Sequence, residues 1–225
     1  MWCIPPKQNA EFVAKMEDVL SVYERPYNSE YPVVCMDEKP YQLIGEQFEP
    51  IKMSKNNHTE KNDYEYDRKG SCSIFMFNEP LAGWRSCSAL PQRTGEDWAE
   101  RVKWLLDEQY PEVKKVVLVM DNLNTHTTAS FYKIFDPKEA FRLSQRLEIH
   151  HTPKHGSWLN MAEIELSALS TQCLGTRRIP LLTDLNNELL AWHTNRTASQ
   201  KGIDWQFTTD HARIKLKHLY PLVKF

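Results

Sequence analysis

The sequence predicts an α/β fold, on three observations. Two apolar, β-branched runs, YPVVCMD (residues 31–37) and KKVVLVMDN (residues 114–122), each lead into an aspartate. A stretch with Trp98, Val102, Leu105 and Leu106 at helical spacing precedes the second run. Strand, helix and apolar strand in that order indicate a layered arrangement whose central strands are buried on both faces.

Each element follows from its own signals. YPVVCMD reads as a buried strand ending in Asp37, and YQLIGEQFEPI (41–51) as a second extended stretch. Residues 52–70 are polar, charged and without period, and read as a surface loop. SCSIFMFNEP and GWRSCSAL read as paired strands about a turn containing Asn78, Pro80 and Gly83. The helix of residues 94–110 starts near Thr94 or Gly95 and ends before Pro111. Residues 129–146 are helical with a break at Pro137, and LEIHHTP is a short strand stopped by Pro153. From Ser157 to Leu174 the stripe Trp158, Ala162, Leu166, Leu169 and Cys173 predicts one amphipathic helix, closed by Gly175.

Composition removes several function classes. With 225 residues and 41% hydrophobic content the chain fits one globular domain. Seven glycines, with neither GxGxxG nor GxxxxGK[ST] among them, exclude the two common phosphate-cradling loops. Five scattered cysteines without a CxxC pair indicate reduced thiols rather than disulfides or a thiolate zinc site. No apolar run reaches membrane-span length and no signal peptide is evident, so no membrane partner and a cytoplasmic location are expected. The net charge of -2 argues against a free-standing DNA binder, but it hides an asymmetry. Residues 176–225 carry eight Lys and Arg against four acids, and residues 1–175 are correspondingly acidic. A two-part division follows: a body of residues 1–175 and a basic helical extension of residues 176–225 packed on it.

The chemistry lies in the acids. Asp37 and Asp121 end strands, and Glu163 and Glu165 stand near the start of a later helix. Adjacent strand ends in an α/β sheet bring such groups together, and clustered carboxylates repel unless cations lie among them. Hard divalent ions suit that donor set. Two of them, about 3.5–4 Å apart, serve in-line displacement at phosphorus. Helical geometry puts Glu163 and Glu165 at roughly +100° and -60° from the centre of the apolar stripe, which leaves the choice between them open. His150, His151 and His155 suggest zinc, but HHxxxH here spans a strand end and the Pro153 bend rather than one helix face.

VVCMDE (33–38), VVLVMDNLNTH (116–126) and TPKHGSWLNMAE (152–163) resemble the three acidic motifs of bacterial insertion-sequence transposases of the mariner-related group, in the DDE superfamily. The likeness runs nearly end to end, from WCIPPKQNAEF through GWR and RT to WQFTTDHARIKLKHLYP. It implies an RNase H-like fold, a central mixed sheet flanked by helices. It also implies a transposase and DNA endonuclease that cleaves and transfers DNA strands using two Mg²⁺ or Mn²⁺ ions. Asp37, Asp121 and Glu163 match the catalytic, metal-holding acids, so the resemblance selects Glu163 where periodicity did not. Family members carry a helix-turn-helix region ahead of this domain, and this chain is expected to lack it. The implied partners are double-stranded DNA, both transposon ends and target, with a homodimer or a separate DNA-recognition polypeptide as further expectations. The implied location is the bacterial cytoplasm, at the nucleoid when acting.

Neighbouring residues carry two readings each. Asn122 and His126 orient phosphate or hold a local turn, and Asn160 hydrogen-bonds beside the acids or caps the helix. Lys154 and His155 are candidates for DNA phosphate near the acids. Arg177, Arg178, Arg213, Lys215 and Lys217 either track a DNA backbone or form a solvated face, with Arg213 and Lys217 on one helix face at i and i+4. Trp192, Trp205 and Phe207 stack on unpaired bases or belong to the core. Two rival functions remain at this point: an inactive remnant that binds DNA or a transposase partner, and a structure-selective nuclease on the same fold.

Overall fold

Val116–Met120, the strand labelled β4 below, has all five of its apolar residues buried, a pattern that demands cover on both faces of a sheet. The computed structural model describes residues 7–48, 64–123, 126–199 and 201–222 and provides that cover. In chain order it consists of α1 (Ala10–Tyr23), β1 (Val33–Glu46), β2 (Tyr66–Glu79), β3 (Trp84–Leu90), α2 (Gly95–Trp104), β4, α3 (Phe131–Ile134), α4 (Pro137–Gln145), β5 (Leu147–His151), α5 (Ala162–Leu169), α6 (Leu182–Ala198) and α7 (Thr209–Lys215).

The five strands form one mixed sheet in the order β3-β2-β1-β4-β5. β1, β2 and β3 pair antiparallel, while β4 and β5 add parallel to β1. One face packs Cys35, Val117 and Val119 against side chains of α1, α5 and α6, including Met16, Leu169 and Leu189. The other packs Val34, Met36 and Leu118 against Trp98 and Val102 of α2, Phe131 of α3 and Leu143 of α4. The layered α/β expectation is met.

Local chemistry accounts for the helix starts. Thr94 and Asp97 form a reciprocal capping box on α2. Asp136 caps α4 with Pro137 at its first position, which is where the predicted break falls. The exposed edge of β3 is blunted by α6: Asn186 exchanges two hydrogen bonds with the Ala89 backbone, and Thr197 exchanges two with Arg85.

Four expectations need correction. The two extended stretches are one 14-residue strand, Val33–Glu46, that runs through Pro40, so Asp37 lies within it rather than at its end; residues 49–51 lie outside the described residues. β4 pairs with β1 only over Val33–Met36, so beyond that point β1 is an edge on one side and a proline needs no ladder donor there. The loop ends earlier than Gly70, because β2 begins at Tyr66 and pairs with Glu46; residues 52–63 lie outside the described residues. The helix of residues 157–174 is divided. A 3₁₀ turn (Ser157–Leu159) precedes α5, and a wider π-type turn (Ser170–Leu174) follows it. Finally α7 ends at Lys215, so Lys217 opens a separate turn and does not share a helix face with Arg213.

The basic tail folds as α6 and α7. Trp205 and Trp192 pack against the core, and Trp205 meets Tyr23 at 5.3 Å between ring centroids. Among the described residues no helix is long and apolar enough to cross a membrane.

Candidate active site

The last paired residues of β1 and β4 are Met36 and Met120. Asp37 is the next residue of β1 and Asp121 the residue just after β4, so the parallel pairing delivers the two acids to the same edge of the sheet, one residue beyond the last paired position. Thr152, just past β5, donates from its hydroxyl to Asp121 Oδ1 at 2.7 Å and from its backbone N–H to the Met120 carbonyl at 3.0 Å. Asp37 Oδ1 accepts from the Glu38 backbone N–H at 2.7 Å.

Glu163 arrives from the opposite direction, in the first turn of α5. Asn160 places that turn: its amide donates to the Met36 carbonyl at 2.8 Å and its Oδ1 accepts from Ala162 N–H at 3.1 Å. Asn160, one residue ahead of the Met161 N-cap, therefore binds the first N–H of the helix and fastens it to β1 immediately before Asp37. The Tyr23 hydroxyl adds a second tether, donating to the Leu159 carbonyl at 2.7 Å. Asp37, Asp121 and Glu163 line one open cavity of about 530 Å³, together with Lys39, Arg93, Ser167 and Thr171.

This cavity is electrostatically loaded. Burial, then the charge of Asp121, then that of Glu163, push the Asp37 carboxyl up to about 8, against the lowering effect of its backbone hydrogen bond. A divalent cation relieves that kind of repulsion, and the all-oxygen donor set fits Mg²⁺ or Mn²⁺. Among the described residues no three His, Cys, Asp or Glu side chains already close on one point. An open site of carboxylates suits an ion that keeps several of its own waters.

Glu165 has a different fate. It is 1% exposed and clamped between Arg85 (3.1 Å) from β3 and Arg196 (2.6 and 3.0 Å) from α6. Arg85 also donates to the carbonyls of Gly83, Arg196 and Lys201.

The other singled-out residues are dispersed. His126 is buried with its ring stacked on Trp98, whereas Asn122 is exposed; residues 124 and 125 between them lie outside the described residues. Lys154 and His155 are exposed on the turn leading to α5. His155 holds φ at 64°, and Gly156 is confined, since a Cβ there would lie 2.5 Å from Pro153 Cγ. His155, Trp158, Glu163, Trp205 and Phe207 border a second cavity of about 850 Å³, so Glu163 belongs to both. His150 is engaged by Asp18 and Glu148, away from His155, and the three histidines do not converge. Arg177 pairs with Glu188, Arg178 with Glu46, and Arg213 with Glu17 and Asp210. Lys215 lies over the Phe207 ring at 5.9 Å and Lys217 is exposed.

Two cationic residues of the cavity, Lys39 and Arg93, escape a reading of the sequence. Lys39 had a signal, because it follows Asp37 by two on a strand and so shares its face. Arg93 had none beyond its place before the α2 cap.

Fold and cavity together define an α/β domain with an acidic site at the carboxyl edge of a mixed sheet. The chain belongs to the DDE superfamily endonuclease family, whose model matches residues 32–186. No curated protein matches it. Among solved structures it is similar to the Mos1 mariner paired end complex with Mn, at a TM-score of 0.55 and 15% identity over 86% of this chain and 58% of that one. The Mos1 strand transfer complex gives a TM-score of 0.56 at 12% identity, over 88% and 61% of the two chains. The Mos1 mariner paired end complex with Mg gives 0.54 at 13% identity, over 98% and 66%. At these identities the likeness establishes the fold, the RNase H-like arrangement of a mixed five-stranded sheet flanked by helices. The chain spans 58% to 66% of the length of these three relatives.

Proposed function

We propose that this chain is the catalytic region of a DNA transposase, with residues 1–175 as its body and 176–225 as a helical extension. In this reading Asp37, Asp121 and Glu163 hold divalent cations, and double-stranded DNA is the substrate, first as transposon end and then as target. The single observation that carries the reading is that three carboxylates, from β1, from the residue after β4 and from α5, line one cavity, with Lys39 and Arg93 beside them. Retained acids of this kind favour the enzyme over an inactive remnant.

When bound, Mg²⁺ or Mn²⁺ supplies Lewis-acid activation of the attacking oxygen and charge neutralisation at the leaving oxygen. The protein's own part is placement. Thr152 directs one oxygen of Asp121, and Asn160 sets the distance of α5, and with it Glu163, from Asp37. Lys39 and Arg93 hold the phosphates that flank the scissile one, as point charge and fork respectively. Lys154 and His155 extend that backbone contact along the turn before α5. Lys215 and Lys217 continue it with exposed charge, whereas Arg177, Arg178 and Arg213 reach DNA by exchanging their present acidic partners for phosphate. Water attacks the end phosphodiester and breaks its bond to the 3′-oxygen, leaving a 3′-hydroxyl and a 5′-phosphate; that hydroxyl then attacks a target phosphodiester and displaces the target's own 3′-oxygen as a hydroxyl, so no covalent enzyme intermediate is needed.

The test is conversion of supercoiled plasmid to the nicked form by the purified chain with Mn²⁺. Nicking that disappears in Asp121→Ala is the expected result. Absence of nicking by the parent chain, or equal nicking by Asp121→Ala, overturns the reading.

A further inference from the structure

Successive strand residues face opposite sides of a sheet, so the Glu38 side chain turns from Asp37's face toward the layer that holds Met36, Phe75 and Trp98, although the residue also borders the acid cavity and its charge adds to the repulsion on Asp37. Its side chain is 2% exposed. His126 meets it there, 3% exposed, its ring lying on Trp98 at 5.8 Å between centroids and 13° between planes. Its Nε2 comes within 2.9 Å of Glu38 Oε1. The approach is close but not aligned as a hydrogen bond, and neither Glu38 oxygen has an aligned partner among the described residues. An apolar side chain at position 38 would fill the same layer without the cost of desolvating a carboxylate. Packing therefore does not explain this pair.

Its position does. Main-chain pairing between β1 and β4 stops at Met36 and Met120, one residue before the two aspartates. Past that point nothing in the ladder fixes their separation. Glu38 is the residue after Asp37. His126 closes the turn after Asp121, in which Leu123 N–H donates to the Asp121 carbonyl at 2.9 Å and His126 N–H to the Leu123 carbonyl at 3.1 Å. The Glu38–His126 contact thus links the two acid-bearing segments across the far face of the sheet, where the ladder no longer does. Thr152 restrains Asp121 from the β5 side, and Asn160 binds β1 from the α5 side. The contact between positions 38 and 126 joins β1, beyond its ladder with β4, to the segment that follows Asp121.

We infer that Glu38 and His126 are a positioning pair that sets the separation of Asp37 and Asp121, and through it the cavity's affinity for a divalent cation. The inference rests on the acid-cavity reading above. Both act through the aspartates.

Calorimetric titration of the full chain with Mn²⁺ tests it, with thermal melts of each variant alongside. His126→Gln and Glu38→Gln are each expected to weaken Mn²⁺ binding about 10- to 100-fold while remaining folded at the assay temperature. The double variant is expected to be no weaker than the worse single one, because either change breaks the same link. Should Glu38→Gln not fold, His126→Gln and His126→Asn, which keep a polar group at the buried position, carry the test. Folded variants that bind Mn²⁺ like the parent, with only a lowered melting temperature, overturn the inference and leave the acid-cavity reading intact. Independent, multiplying losses in the double variant also overturn it. A parent chain that does not bind Mn²⁺, or an Asp121→Ala variant that binds equally well, overturns the acid-cavity reading and this inference with it.

Discussion

Glu163 and Glu165 are the same residue type, two positions apart on α5, in opposite surroundings. Glu163 is exposed in a cavity with Asp37 and Asp121, where like charges accumulate. Glu165 is buried between two arginines, and its hydrogen-bonding capacity is filled by protein. A carboxylate whose charge is already answered within the fold has nothing left for a cation. A carboxylate set among other carboxylates raises the free energy of the empty site and lowers it when a cation enters. Charge left uncompensated is thus the physical mark of the candidate active site, and charge compensated marks the framework that holds it.

Five changes sharpen or break this contrast, and the largest effect is expected at Glu163. Glu163→Gln should reduce plasmid nicking about a thousandfold or more, since several kcal/mol of transition-state stabilisation depend on the cation site, and should leave the melting temperature near that of the parent. Retained nicking in Glu163→Gln with loss in Glu165→Gln would invert the assignment. Glu165→Gln should instead act on stability. It leaves Arg85 buried without a counter-charge, at a cost of about 3–5 kcal/mol in denaturant melts, with the nicking rate of the folded fraction unchanged.

Asp37→Asn gives a signed pH effect. Without metal, folded Asp37 keeps its proton up to about pH 8 while the unfolded chain loses it near the ordinary aspartate value of 3.8. The folded state therefore binds the extra proton across that window, and stability falls as pH rises from about 4 to about 8. Asp37→Asn should flatten that decline and stabilise the metal-free protein near neutral pH by an amount on the order of a few kcal/mol. In the parent chain, Mn²⁺ affinity should rise with pH and level off near 8, because binding displaces the proton. A parent protein whose metal-free stability is flat over this range would show that Asp37 is not held protonated. The smallest effects belong to the rim. Arg93→Ala and Lys39→Ala should each weaken DNA binding a few-fold and lower the salt slope by about one, measured by fluorescence anisotropy between low and moderate salt.

Much of this was readable from residues alone, and the exceptions share a cause. The apolar run of β4, the β2–β3 hairpin and the Pro137 break were legible because each is a local matter of period, turn chemistry or capping. The continuity of β1 through Pro40 was not legible, because whether a proline interrupts a strand depends on whether a neighbour needs its N–H. The division of residues 157–174 was equally hidden. Its side-chain stripe is compatible with one helix, and the break comes from Asn160 reaching across to the Met36 carbonyl. For the basic tail, composition reported a charge excess, while the fold gives Arg177, Arg178 and Arg213 acidic partners.

By itself the sequence determined the layered α/β class, the placement of Asp121 just past a buried strand, and, through its likeness to a known family, the preference for Glu163, whereas Asp37 lies within β1 rather than at its end. These follow from patterns a few residues long, since periods of 2 and 3.6 report which face a side chain occupies. Tertiary structure alone decided which acids meet and which are neutralised. Arg85 stands 80 residues from Glu165, and Arg196 stands 31 from it. They converge because the sheet order β3-β2-β1-β4-β5 and the seating of α6 on β3 bring them together. The parallel register of β1 and β4, likewise a property of the assembled sheet, delivers the two aspartates to the same edge of it. Local pattern carries no information about partners so distant in the chain, and it is those partners that separate an acid able to hold a cation from one that holds the fold.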